Sequence, residues 1–158
     1  MKILFYSIIG VVLLIGLLLI VLSIASRKQP ELGLVNGQLR PCPATPNCVC
    51  SEWPGAGAFI EPLHYSIARD AAWDSIKQAI ISTGGEIVHE QNAYLQTRYV
   101  TPLLRYVDDV ELRLDEDRHV IHIRSASRVG RSDLGANRQR VSRIKNAFDR
   151  QVSSNNNN

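Results

Sequence analysis

Val107-Asp-Asp-Val-Glu-Leu-Arg-Leu114 and Val120-Ile-His-Ile-Arg-Ser-Ala-Ser-Arg128, joined through Asp115-Glu-Asp-Arg-His119, decide the fold. Both runs alternate with the period of two that places successive side chains on opposite faces of a strand. In the first, Val110, Leu112 and Leu114 share a face with Asp108; in the second, Ile121 and Ile123 share a face with Ser125 and Ser127. The other faces carry Asp109, Glu111 and Arg113 on one strand and His122, Arg124 and Arg128 on its partner. Burying the aliphatic sets together forces an antiparallel hairpin whose register keeps these faces aligned. Two registers satisfy that condition: a two-residue turn pairs Asp109 with Arg124, and a four-residue loop pairs Glu111 with Arg124. Either sets acid opposite base, at about 0.2 to 1 kcal/mol per cross-strand pair.

Upstream, Glu86 to Glu90 and Tyr94 to Val100 read as two further strands, and Phe59 to His64 as a short one that Pro62 confines to an edge or a bulged position. Between them a helix opens with Asp70 as its N-cap. It carries Trp73, Ile76 and Ile80 on one stripe and stops at Gly84-Gly85. Downstream, Val141, Ile144 and Phe148 form the stripe of a last helix, flanked by Arg138, Arg140, Arg143 and Lys145 as a surface helix would be. The expected architecture is α+β: an antiparallel sheet of about five strands with two helices on one face.

This domain follows a different kind of sequence. Ile3 to Ile24 contains no charged residue; at about 1.5 Å per residue it reaches roughly 33 Å, enough for a hydrocarbon core of about 30 Å. An uncleaved membrane anchor is the expectation. A signal peptide cut near Ser23-Ile24-Ala25 and a buried core helix are the alternatives, and both usually have shorter apolar runs. The organisation expected is therefore an anchor over 1–28, a linker over 29–41, an α+β domain over 42–150 and a disordered polar tail over 151–158. Lys2 on one side of the apolar run and Arg27 and Lys28 on the other make the positive-inside rule lean toward a cytoplasmic domain.

The cysteines lean the other way. Cys42, Cys48 and Cys50 fall within nine residues, and in an exported chain such a cluster reads as a disulfide. Cys42 with Cys48 is the expected bridge, closing a loop that holds Pro43 and Pro46 and leaving Cys50 over; three free or buried thiols are the alternative. A zinc site would need a fourth ligand, and His64 is not at finger-like spacing. No metal and no cofactor are expected. The compartment this favours is the outer side of an inner (cytoplasmic) membrane crossed once.

Of eighteen basic residues, fifteen remain once Lys2, Arg27 and Lys28 are set aside, against fifteen acidic ones. The neutral domain is nonetheless divided: residues 118–150 hold nine basic and two acidic side chains, and residues 29–117 hold six and thirteen. Either the two parts satisfy one another, or some of the basic set faces outward toward an anionic lipid, glycan or protein partner. Nucleic acid is disfavoured by the lack of net positive charge and of any recognition motif.

The segment Arg124-Ser-Ala-Ser-Arg-Val-Gly-Arg-Ser-Asp-Leu-Gly-Ala-Asn-Arg138 mixes small residues with arginine forks suited to carboxylate or phosphate. Asp133 and Asn137 are alternative N-caps for the last helix. Together with Cys42-Pro-Ala-Thr-Pro-Asn-Cys-Val-Cys-Ser51 and Tyr106-Val-Asp-Asp-Val-Glu111, this segment resembles the DUF1499 family over about residues 40 to 150. The resemblance implies bacterial or plastid proteins that are often exported or membrane-attached and have no established activity. Cys50 stands where that family usually has serine, and Arg131 follows the glycine where an aromatic is more usual.

Two functional classes follow. As a binding or structural module, the domain would use Arg124, Arg128, Arg131 and Arg138, with Asp108, Asp109, Ser125, Ser127, Asp133 and Asn137 completing the candidate site. As a small cofactor-free hydrolase of an acidic ester or phosphate, it would use Asp108 or Asp109 as acid or base and Ser125 or Ser127 as nucleophile. His122 points to the opposite strand face from those serines, which weakens the hydrolase.

Overall fold

Alternation does build the hairpin. In the computed structural model, which describes residues 1–55 and 57–155, strand β7 (Val107–Asp115) pairs antiparallel with β8 (Val120–Ser127) in the four-residue register, Glu111 opposite Arg124. His119, at φ 52°, supplies the left-handed residue that lets the loop close.

Outward from β7 lie β6 (Tyr94–Val100) and β5 (Glu86–Gln91), all antiparallel, with a register shift between Ile87 and His89 on β5. The other side of β8 is shared by two short strands, β3 (Cys48–Cys50) on its C-terminal half and β4 (Leu63–His64) on its N-terminal half. The strand expected over Phe59–His64 is thus cut to two residues, since Pro62 has no N–H to give to a ladder, and Phe59 makes only an isolated bridge to Cys50.

Helices α2 (Arg69–Ser82) and α3 (Ala136–Asn155) lie together on one face of this six-stranded sheet. Ile76, Ile80, Val141, Ile144 and Phe148 meet Val110, Leu112, Ile121 and Ile123 in one core, each such side chain contributing about 1.5 to 3 kcal/mol on burial. Asp70 is not the cap of α2: Ala68, in an extended conformation, precedes the helix. Asp70 lies in the first turn, where its carboxylate meets the positive helix end. Gly84 turns the chain out of α2 at φ 89°, and a Cβ on Gly85 would lie 2.6 Å from the Tyr99 ring, so both glycines of the stop are required.

The N-terminal helix α1 (Lys2–Ser26) is long and apolar enough to cross a membrane. Its last residue, Ser26, is buried against the domain, its hydroxyl accepting the Val107 N–H at 3.1 Å. The segment 29–41, read from sequence as a linker, carries a small hairpin of β1 (Leu34–Val35) and β2 (Gln38–Leu39) that lies over the sheet face opposite the helices. The polar tail expected from residue 151 is helical to Asn155, and residues 156–158 lie outside the described residues.

Candidate functional site

The candidate residues separate onto the two faces of the sheet, as the parity of β7 and β8 requires. On the helix-covered face, Asp108 takes the Nη2 of Arg140, and Arg140 Nη1 also donates to Ser125 Oγ at 3.0 Å and to Asn137 Oδ1. Ser125 in turn donates to Asn137 at 2.6 Å, and the Asn137 amide donates to Ser127 Oγ and to the Asn47 carbonyl, both at 2.9 Å. Asn47 closes the junction with a bond to the Gly130 carbonyl at 2.7 Å. Arg140, which reads in sequence as the flank of a surface helix, is buried here. Its guanidinium lies 5.1 Å from the centre of the Tyr99 ring, a cation–π contact added to the ion pair. The three segments that carry the family resemblance meet at this junction.

On the opposite face the acids are matched by the arginines expected across the hairpin. Arg128 grips Asp109 with both ends of its fork, at 2.8 and 2.7 Å. The same guanidinium donates to the Ser26 and Arg27 carbonyls at the end of α1. Glu111 is 0 % exposed and takes Arg124 at 2.9 Å, the Tyr94 hydroxyl at 2.7 Å and the Gly33 N–H at 2.8 Å. Burial and the Glu111 charge push the Tyr94 hydroxyl well above its ordinary range, so it stays a proton donor.

A third cluster on this face escaped sequence reading because Glu52 is distant in the chain. Arg113 holds Glu52 at 2.5 Å and Asp115 at 3.2 Å, while Glu52 also accepts the Leu39 N–H at 2.6 Å. His122 lies between, its Nδ1 at 3.2 Å from Ser51 Oγ and its Nε2 at 3.8 Å from Asp115. Burial lowers the His122 pKa, against the pull of Glu52. Serine, histidine and acid thus sit in order, but Ser51 is buried, and its oxygen is already taken by the Ile123 N–H at 2.8 Å. The arrangement locks β3 to β8 instead of exposing a nucleophile.

Asp133 and Arg138 belong to a cleft of about 730 Å³ between the cysteine loop and the start of α3. Cys42 and Cys48 lie at bonding distance, with Cα atoms 5.6 Å apart, and this bridge shapes one wall with Pro43 and Pro46; Phe59 and Trp53 contribute elsewhere in the lining. Cys50 is the free, buried thiol, its pKa raised chiefly by desolvation. Of the two caps weighed from sequence, Asp133 serves: it accepts the Gly135 N–H at 3.0 Å and the Asn137 N–H at 2.7 Å. Desolvation works to raise its pKa, but these amides outweigh it and hold the carboxyl below its ordinary value. Arg138 donates only to the Phe59 carbonyl at 3.3 Å, and among the described residues no acid pairs with it. Arg131, in the segment between β8 and α3, is exposed. No group of three or more His, Cys, Asp or Glu side chains is placed to hold a metal among the described residues.

These features define a mixed α+β domain carried behind a helix able to span a membrane, with buried ion pairs on its sheet and an open cleft at its edge. The chain belongs to the family described as "Protein of unknown function (DUF1499)", whose model matches residues 38–148. Comparison with curated proteins and with solved structures finds no match.

Proposed function

We propose that the protein is a membrane-anchored binding module of the cell envelope, held by α1 in the inner (cytoplasmic) membrane with its domain on the extracytoplasmic side. The cleft beside the Cys42–Cys48 bridge receives an anionic envelope component or the acidic segment of a protein partner. The observation that carries this reading is the division of the arginines. Arg124, Arg128 and Arg140 are consumed by Glu111, Asp109 and Asp108, whereas Arg138 lines the cleft with no acid of its own among the described residues.

The same division counts against the hydrolase. Asp108 and Asp109 are 6 % and 2 % exposed and ion-paired, and the Ser125 hydroxyl is engaged by Asn137 and Arg140 with no base beside it. The bridge supports the extracytoplasmic side, because such bonds persist in oxidising compartments.

Native mass spectrometry of the full chain in detergent tests the reading. Wild-type protein is expected to retain an acidic adduct, or to bind one from a panel of anionic glycans and headgroups. Arg138→Ala is expected to lose that binding at least tenfold with an unchanged melting temperature, since the side chain is exposed. Equal binding by wild type and Arg138→Ala would remove the cleft from consideration.

A further inference from the structure

The end of α1 and the turn between β6 and β7 lie against each other at the same end of the sheet. Val107 donates its N–H to Ser26, and one residue earlier the Tyr106 hydroxyl reaches the Leu19 carbonyl at 3.5 Å. Leu19 lies eight residues before Arg27, the first charge after the apolar run, and at 1.5 Å per residue that is about 12 Å along the helix axis. The Tyr106 phenol therefore runs beside the apolar part of α1, below the level at which Arg27 and Lys28 mark the polar boundary.

The turn continues beyond Tyr106 and is held shut. The Thr101 N–H donates to the Tyr106 carbonyl at 2.9 Å, the Arg105 N–H donates to the Thr101 carbonyl at 3.1 Å, and Arg105 takes the left-handed conformation at φ 56°. At its tip Leu103 is 89 % exposed, with Pro102 beside it and Arg105 exposed on its flank. An apolar side chain fixed at the tip of a closed turn finds no cover in the domain. The chain leaving β8 emerges at this same end of the sheet and exposes Leu134 at 92 %.

We infer that the β6–β7 turn is a second membrane contact. Leu103 enters the acyl boundary of the bilayer that α1 crosses, the Tyr106 ring packs beside the apolar part of α1 with its hydroxyl on the Leu19 carbonyl, and Arg105 meets lipid phosphate. The occupant of this surface is the lipid of the anchor's own membrane, because α1 itself brings the turn to that depth. Two attachments, a spanning helix and a dipping turn, fix the tilt of the domain, which a helix alone leaves free to swing. The β7–β8 loop, with Asp117, is at the opposite end of the sheet and points away from the lipid.

The inference rests on the anchor reading above, and one experiment separates their failures. A nitroxide is placed on Leu103→Cys, on Asp117→Cys and on Leu14→Cys of the full chain. Cys50 is buried and the other two cysteines are bridged, so the introduced thiol takes the label. In vesicles of phosphatidylcholine and phosphatidylglycerol, the ratio of collisions with oxygen to collisions with a water-soluble nickel chelate reports depth. The expected result is a ratio at 103 several-fold above that at 117 and approaching that at 14. A ratio at 103 equal to that at 117, with 14 deep, overturns the second contact and leaves the anchor standing. Equal low ratios at all three positions overturn the anchor and the inference together.

Discussion

The two faces of the sheet are built from the same strands by opposite chemistry. Beneath α2 and α3, Val110, Leu112, Ile121 and Ile123 are shielded by aliphatic and aromatic side chains, with the Asp108–Arg140 pair as a polar exception at one end. Beneath the β1–β2 hairpin and the end of α1, the cover is thin and the strands present Asp109, Glu111 and Arg113, each met by a charge of the other sign. The helical face gains from burying apolar area, which is indifferent to direction. The other face gains little net energy from its ion pairs and loses heavily if one partner is removed. The first face supplies stability, and the second specifies where the short N-terminal elements must dock.

Truncating one charged partner should break the second face most severely. Glu111→Ala leaves Arg124 without its acid and Tyr94 and Gly33 without their acceptor, and a loss of about 3 to 5 kcal/mol is expected in urea unfolding. Replacing Glu111 and Arg124 together by leucine should recover much of it, since no lone charge is then buried. A cost below about 1 kcal/mol for Glu111→Ala would show that this face is loosely held. On the helical face, Leu112→Ala removes a fully buried side chain and is expected to cost about 2 to 5 kcal/mol, with no recovery from any single partner change.

The smallest effect concerns pH. Burial lowers the His122 pKa from 6.5 in the folded protein, so the unfolded chain takes up a proton first as pH falls. Stability from this group is therefore complete above about 6.5 and declines below that value until the folded pKa is reached. Asp115, also lowered, adds a decline only below 3.8. His122→Gln should flatten the fall in the urea midpoint just below pH 6.5, and an unchanged slope would place the acid sensitivity elsewhere.

Much of the helical face was legible from sequence because it follows periodicity: the β7–β8 alternation, the α2 stripe and the α3 stripe all depend on neighbours within a few residues. The long apolar N-terminal helix and the pairing of Cys42 with Cys48 are legible for similarly local reasons. Alternation leaves two registers open, and the left-handed His119 accompanies the one with the four-residue loop. The polar face was half legible. Acid opposite base across the hairpin is a local pattern, but the Glu52–Arg113 pair joins residues sixty-one apart in sequence, and nothing in either neighbourhood announces it. Arg140 was hidden for a related reason. One basic residue among four on a helix flank looks like its companions, and only Asp108, on the strand beneath the helix, makes it a buried one.

The edges of the sheet have a consequence for how copies of the chain meet. On the outer strand β5 the register slips between Ile87 and His89, and on the far side two stubs, β3 and β4, stand where a full strand would be. A neighbouring copy seeking to extend the ladder meets a broken row of amides at either rim. These interruptions leave neither rim a continuous template for edge-to-edge pairing between copies.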